Sequence, residues 1–579
     1  MLYQLFFYVL ISCVCLWSGM IFYSFFINSE QADSSYQRPL ASYFFSGLIM
    51  LAALGQWFVL FLPLNAYILW FFILPPLSIL SILFRRRLAR IIATIRSQGP
   101  ASSFLFPILA AFVVMVLVLN SGPTVMDDTD SYHIQMVKWA QEHGTVPGVA
   151  NLHLRYGFNS SWFLAIALLI PPSPGINHYM TLNGLISIWL CYYLLCKVTT
   201  AFSSGPVARN YNSAIGAFIV LILGLAVWPM IRGNATTANY DFISTCIIII
   251  LFMEAGVTRK PALMPEWIVW PLFLCTIKLV NIVMLACCLQ SLLIYFSRRS
   301  LRLYIAAAFF ILIPFFLRNL ILSGYILYPL YQLDFFYFDW KVPRQLVVEI
   351  MDYVEYFNRS NGNQELVIHR PFPDWVPIWH TQLVLYDKVL TDLSVLCWAL
   401  VLLRWKKLTA TFSSQYRILL LTLLLMLAVW FFVAPDPRFI YGVLLAGVYT
   451  LIMTLPPLLS QWGPRRILGV GTISLSCCIL VYTIVKIASH QDYRNWTLPH
   501  PLPVPAVQLV TVDGIEMQIP ERALGNWNPR CYDLSLPCLY TVSPFLHARG
   551  KHISDGFKMV TGQAKKPIRG EFNNYQTHY

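Results

Sequence analysis

The chain has 579 residues, a formal net charge of +14 and a mean hydropathy of +0.63. With 58% hydrophobic and only 11% charged residues it lies outside the soluble globular classes, and its many long apolar runs specify a polytopic, all-α membrane protein. The basic excess sits in short clusters at the ends of those runs, which is the pattern of membrane topology and argues against nucleic-acid binding.

Apolar runs at about 2–27, 41–62 and 66–84 open the chain. The first has no basic residues ahead of it and no clear small-residue cleavage site, so a retained transmembrane helix is expected. Arg85, Arg86, Arg87 and Arg90 follow as a cytoplasmic anchor. A charge-free run from Ser103 to Asn120 then leads outward to Asp127-Asp128-Thr129-Asp130-Ser131-Tyr132-His133, three carboxylates and a histidine within seven residues. From Asp130 the spacing predicts an amphipathic helix with Tyr132, Met136 and Trp139 on one face, lying in the interface with that face in lipid, and Gly144 as its stop. Trp162–Ile170 is too short to span and ends at Pro171-Pro172, so it reads as re-entrant or interfacial.

Runs at about 176–196, 212–231 and 241–256 come next, the last two joined by an outer segment from Arg232 to Asp241. The stretch 264–297 has basic residues at both ends (Arg259-Lys260 and Arg298-Arg299), which requires an even number of crossings: two short helices with their apex at Thr276-Ile277-Lys278. The run 303–317 leads out to Arg318 and a long loop rich in aromatics and prolines. The chain re-enters at 385–403 and ends that run at Arg404, Lys406 and Lys407. Run 416–433 leads out to Pro435-Asp436-Pro437-Arg438-Phe439, 439–459 returns to Arg465-Arg466, and 467–487 leads out again. Lys197 is the weakest of the cytoplasmic boundaries.

These boundaries give about fourteen crossings with both termini outside, the N-terminus by parity alone. The division expected is an N-terminal three-helix extension (1–102), a transmembrane core (103–460) with outer loops 121–175, 232–241, 318–384 and 434–439, a last transmembrane helix (461–487) and a small extracytoplasmic tail domain (488–579). No internal repeat is evident, which counts against an inverted-repeat transporter.

This topology brings Asp127, Asp128, Asp130, His133, His153, Arg155, Asp241, Lys278, Arg318, Asp436 and Arg438 to one face. Each also has an ordinary reading. The aspartates can cap a helix, His133 can pair one turn on from Asp130, Lys278 can snorkel, Arg318 can anchor at the interface, and Asp241 can favour a helix dipole. Asp436 and Arg438 can simply pair across Pro437, although flanking prolines stiffen that loop. Together, a carboxylate that removes a proton from an acceptor hydroxyl and cations that hold a departing phosphate are what a polyprenyl-phosphate sugar transferase needs.

The Asp-rich motif in the first outer loop of the core, followed by an amphipathic helix, resembles the GT-C glycosyltransferase superfamily. Asp128-Thr129-Asp130-Ser131-Tyr132 resembles the superfamily's acidic pair followed by Tyr, with Thr129 where a second adjacent acid often stands. Lys278 at a hairpin apex and Arg438-Phe439 after a late outer loop are also similar, and the likeness covers about 103–460. It implies a GT-C-like fold with the first three helices as an extension, and an enzyme moving a sugar from a polyprenyl-phosphate donor to a glycan, lipid or protein acceptor. In that reading Asp128 is the base and Asp130 its partner. Lys278, Arg318 and Arg438 grip donor phosphate, Arg155 and Asp436 stand with them, and Asp241 and His133 line the site. Asp128 and Asp130 are also candidate ligands for a divalent metal ion, Mg or Mn.

A second likeness spans nearly the whole chain. The blocks Asp128–His133, Ser323–Pro329, Pro435–Phe439 and Cys531–Cys538 resemble a family of bacterial multi-pass membrane proteins with a paired-cysteine tail and no assigned activity. It implies a bacterial cytoplasmic membrane with the active site outside, a compartment that permits a Cys531–Cys538 disulfide, two free thiols being the alternative. Two other functions compete: an O-antigen-type polymerase or ligase, which would lean on outer-loop arginines without needing the aspartate pair, and a transporter or flippase, which would need charges on both sides of the membrane.

Overall fold

The computed structural model describes residues 1–26, 38–65, 67–97, 106–203, 208–226, 233–257, 265–294, 298–360, 362–368, 370–406, 414–455, 464–523 and 529–560. Arg232, Arg259, Lys260 and Lys407 of the topology argument lie outside these residues. The helices are α1 (Leu2–Phe26), α2 (Leu40–Phe58), α3 (Leu74–Leu83), α4 (Arg85–Ser97), α5 (Phe106–Asn120), α6 (Ile134–Glu142), α7 (Ser161–Leu169), α8 (Thr181–Ser203), α9 (Ala208–Leu221), α10 (Asp241–Val257), α11 (Glu266–Ile277), α12 (Leu285–Ile294), α13 (Arg298–Ser323), α14 (Arg344–Ser360), α15 (Trp375–Gln382), α16 (Leu385–Leu403), α17 (Ser414–Val433), α18 (Tyr441–Thr454) and α19 (Pro464–Ser489). The tail adds two antiparallel hairpins, β1 (Val507–Val512) with β2 (Ile515–Pro520) and β3 (Leu546–Ala548) with β4 (Phe557–Met559). Asp513 and Gly514 turn the first at φ 49° and 89°, the positive angles a two-residue hairpin needs.

The apolar runs become helices, but not all become spans. Seven described helices are long and apolar enough to cross a membrane: Leu2–Phe26, Leu40–Phe58, Thr181–Thr200, Tyr304–Ser323, Tyr416–Val433, Pro437–Thr454 and Arg466–Ser489. Ile68–Leu83 and Arg85–Arg96, bent by 88°, would make an eighth if counted as one span. The expected fourteen are therefore not found among the described residues. The reason is helix length. At 1.5 Å per residue the 12-residue α11 reaches roughly 18 Å, against a hydrocarbon core of roughly 30 Å. Its C-terminal break is at Lys278, where the backbone is extended (φ −154°, ψ 141°) before a 3-10 turn and α12. The expected pair of short helices with this apex is present.

The N-terminus, the start of the tail and the loop after α5 gather at one end of the bundle. The Leu2 and Tyr3 amides donate to the Trp496 and Thr497 carbonyls at 2.9 and 3.0 Å, and the His500 amide donates to Ser121 just past α5 at 2.8 Å. The N-terminus, the acidic turn and the start of the tail thus lie together. The tail is not a body apart. Leu502, Met517, Leu539, Leu546 and Phe557 belong to the same buried apolar core as the helices.

Two expectations change. Helix α6 does not lay an aromatic face in lipid: Tyr132, Met136 and Trp139 are 5%, 1% and 2% exposed, and Trp139 packs edge-on to Phe557 of the tail. Periodicity finds an apolar face but cannot say whether lipid or protein covers it. Lys197 is no plain anchor either, because it pairs with Glu254 at 2.6 Å.

Helices α1 and α2 run antiparallel with their backbones in contact, since a Cβ on Gly47 would strike the Cys15 carbonyl and one on Gly19 the Tyr43 carbonyl. Small residues permit such close approach of membrane helices. Gly47→Ala is expected to cost about 1–3 kcal/mol by forcing the pair apart. Gly55→Ala, whose Cβ would have its nearest neighbour at 3.6 Å, should be tolerated. Thermal unfolding of both variants in detergent checks this.

Candidate active site

Helix α5 ends at Asn120, fully buried, whose Nδ2 donates to the Met180 and Ala235 carbonyls at 2.9 and 2.6 Å. A turn later the chain enters a π-helical turn, Thr129–His133, which runs directly into α6. Gly144 at φ 72° follows α6, as predicted.

Asp128 stands at the mouth of this turn, its side chain 22% exposed. Arg155 Nη1 donates to its Oδ1 and Arg438 Nη2 to its Oδ2, both at 3.1 Å. Both arginines are fixed from behind. Arg155 lies on a short 3-10 turn (Leu154–Gly157) capped by His153, whose Nδ1 accepts from the Arg155 amide, and it donates from Nη2 to the Tyr353 hydroxyl of α14 at 3.0 Å. Its guanidinium lies 5.3 Å from the Tyr132 ring centroid. Arg438 lies on the 3-10 turn Pro437–Ile440, where Asp436 both caps its amide and pairs with its Nε at 2.8 Å.

Next to this clasp, Lys278 Nζ donates to Asp241 Oδ1 at 2.8 Å and lies 2.8 Å from the Phe439 ring centroid. The helix break exposes Lys278, and the N-terminus of α10 presents Asp241. His133 is 2% exposed and packs among Tyr132, Phe163 and Tyr240. Burial pushes its pKa down to about 3, so it is neutral and a wall of the site rather than a cation.

Asp127 and Asp130 face the tail. Arg530 Nε pairs with Asp127 Oδ1 at 2.6 Å and its Nη1 lies 3.6 Å from Asp130 Oδ2. The Tyr532 amide donates to the Asp130 carbonyl at 2.7 Å, and Gln135 and Lys138 of α6 donate to the carbonyls of Tyr532, Asp533 and Leu534. Cys531 and Cys538 are disulfide-bonded and close this segment.

The aspartates titrate differently. Burial alone would raise Asp128, but Arg438 and Arg155 outweigh it and hold the carboxyl well below the usual range. Burial raises Asp130 to about 7, against the Thr124 hydroxyl, which donates to Oδ1 at 2.5 Å, and the more distant Arg530. Asp128 is therefore a fixed anion that orients two arginines, while Asp130 can exchange a proton near neutral pH. Of the two, Asp130 and not Asp128 carries the raised carboxyl. Spacing locates carboxylates but not the cations that fold against them.

Arg318 is not joined to this group. It is 1% exposed on α13 and donates from Nη1 to Asn159. No ion pair or hydrogen bond among the described residues links it to Asp128, Arg155 or Arg438. Asp128 and Asp130, the candidate metal ligands, both face cations in this arrangement. No three His, Cys, Asp or Glu side chains converge on a metal-sized site among the described residues, and both Asp128 oxygens are engaged by guanidinium groups. Arg530, Tyr353 and Tyr240 also belong to the site, and nothing in the sequence pattern points to them. An arginine in a polar tail and tyrosines in an aromatic-rich chain carry no signal of their own.

Fold and site define a polytopic helical membrane protein with an ordered cluster of acids and cations at one end of its helices. Residues 1–445 match a family described as a domain of unknown function (DUF8201), and the chain belongs to that family. Arg530 and the disulfide lie beyond the matched residues. No curated protein and no solved structure matches the chain.

Proposed function

We propose that the protein is a GT-C-type glycosyltransferase of a bacterial cytoplasmic membrane, acting on the extracytoplasmic side with a polyprenyl-phosphate sugar donor. The observation that carries this reading is one carboxylate held by two arginines near Lys278, two residues before a second carboxylate whose pKa burial raises to about 7. Arginine pairs suit phosphate oxygens, and a base near neutral pH suits an acceptor hydroxyl. In the step proposed, Asp130 Oδ2 takes the proton of the acceptor hydroxyl. The acceptor oxygen bonds to the sugar's anomeric carbon, and the bond from that carbon to the donor phosphate breaks. The phosphate leaves with the electron pair, its charge met by Arg438, Arg155 and Lys278. The acceptor is a surface glycan, a lipid or a protein.

Surface glycans and lipid-linked sugars compared in cells with and without the gene test the reading. Loss of a sugar with accumulation of its lipid-linked form supports it, whereas unchanged pools in both compartments would sink it. In a reconstituted assay the rate should rise with pH through about 7, because the base must be deprotonated, and Asp130→Asn should abolish the reaction.

One observation favours a transporter as a second reading. Buried ion pairs also occupy the opposite ends of α10 and α11, Lys197 with Glu254 at 2.6 Å and Arg38 with Glu266 at 3.0 Å. Charges at both ends are what a transport path needs. Counterflow of lipid-linked sugar in proteoliposomes without any new glycosidic bond would select it.

A further inference from the structure

Arg318 presents an unexplained charge. It lies on α13 five residues before the helix end at Ser323, roughly 8 Å along the axis. One guanidinium nitrogen, Nη1, donates to the Asn159 side chain. The other two, Nε and Nη2, are buried and have no hydrogen-bond partner. These two are the atoms that form the side-on fork of a guanidinium, the edge that engages two oxygens of one oxyanion in parallel. No carboxylate lies within ion-pair distance of Arg318 among the described residues. Asn159 is held in place by its own Nδ2, which donates to the Phe315 carbonyl at 3.0 Å, and Asn319 donates to the same carbonyl at 3.0 Å.

A buried guanidinium with one neutral partner and two unpaired nitrogens on its other edge is costly, and an anion bound along that edge removes the cost. The position selects the anion. Next along the helix, Leu317 is 41% exposed, and Phe309 and Ile305 on the same helix are 58% and 60% exposed, as expected of a lipid-facing surface. Arg318 is therefore near the outer end of a membrane-spanning helix, at the depth where lipid phosphates begin.

We propose that Arg318 forms a phosphate-binding site of its own, distinct from the Asp128 clasp, that takes one phosphate group through Nε and Nη2. The phosphate belongs to a lipid headgroup or is free phosphate. The site does not depend on the transferase reading.

The test is thermal unfolding of the delipidated full chain in detergent, titrated with inorganic phosphate and separately with short-chain phosphatidylglycerol. Wild type should gain a saturable rise of about 2 °C with at least one probe. Arg318→Met should lose the response, and Arg318→Lys, which keeps charge without the fork, should lose most of it. Asn159→Asp keeps the arginine and supplies an internal carboxylate, so it should also blunt the response while raising the midpoint without added anion. Arg438→Met, which removes a cation of the clasp, should respond like wild type. A response to phosphatidylglycerol alone assigns the site to a headgroup, and a response to inorganic phosphate assigns it to the free ion. An unchanged response in Arg318→Met, or none in wild type with either probe, overturns the proposal. So does a response lost in Arg438→Met and kept in Arg318→Met, which would place the anion in the clasp.

Discussion

Asp128→Asn is expected to reduce sugar transfer by about 10²–10³-fold, the usual effect of disordering groups that meet developing charge. The substitution leaves the size of the side chain unchanged and removes its charge. Its amide can accept from one arginine, but its NH2 then faces the other. Arg155 and Arg438, 8% and 27% exposed at their side chains, would be left close together without the anion between them. Breaking a fully buried pair costs about 3–5 kcal/mol. Partial exposure of Asp128 and Arg438 lowers this to about 2 kcal/mol. A companion variant separates stability from chemistry. Asp128→Asn with Arg438→Met should recover part of the lost stability, because one of the two uncompensated cations is gone, yet recover no activity. Thermal unfolding and initial rates on the same four proteins of this cycle give the coupling. If Asp128→Asn is as active as wild type at normal membrane abundance, the clasp has no part in the reaction.

Arg530→Met is expected to move the pH dependence of the rate upward. Arg530 lowers the Asp130 pKa, so losing it raises that pKa above about 7 and requires a higher pH to free the base. Asp127, which pairs with Arg530 at 2.6 Å, would add its repulsion without a counter-charge. At pH 7 the rate should fall about tenfold and recover at pH 8.5, a pattern that simple misfolding would not give. Arg530→Lys should shift the profile less. Cys531→Ser should act in the same direction, because the disulfide closes the short loop that begins next to Arg530 and opening it frees the chain. An unshifted profile in Arg530→Met would remove the tail from the site.

Much was legible in the sequence for reasons that can be named. Lipid forbids unpaired backbone, so long apolar runs had to be helices. The chain's charge is so sparse that the Asp127–His133 cluster stood out, as did Asp241, Lys278 and Arg438, the isolated charges that the folded chain brings near Asp128. The apex at Lys278 followed from the basic residues flanking its hairpin, and the stop at Gly144 from its freedom to take positive φ.

Other features depend on contacts between residues far apart in the chain. The sequence could not show that Arg155 and Arg438, 283 positions apart, share one carboxylate. Nor could it show that Arg530 reaches back 403 positions to Asp127, or that Arg318 is excluded from the group. A carboxylate's basicity is set by the cations and burial around it, so the opposite shifts of Asp128 and Asp130 required the folded chain. The same limit explains the fewer spans and the buried face of α6. Local periodicity determines which residues form a helix and which face is apolar. Only tertiary packing decides how far the helix runs and whether lipid or protein covers that face.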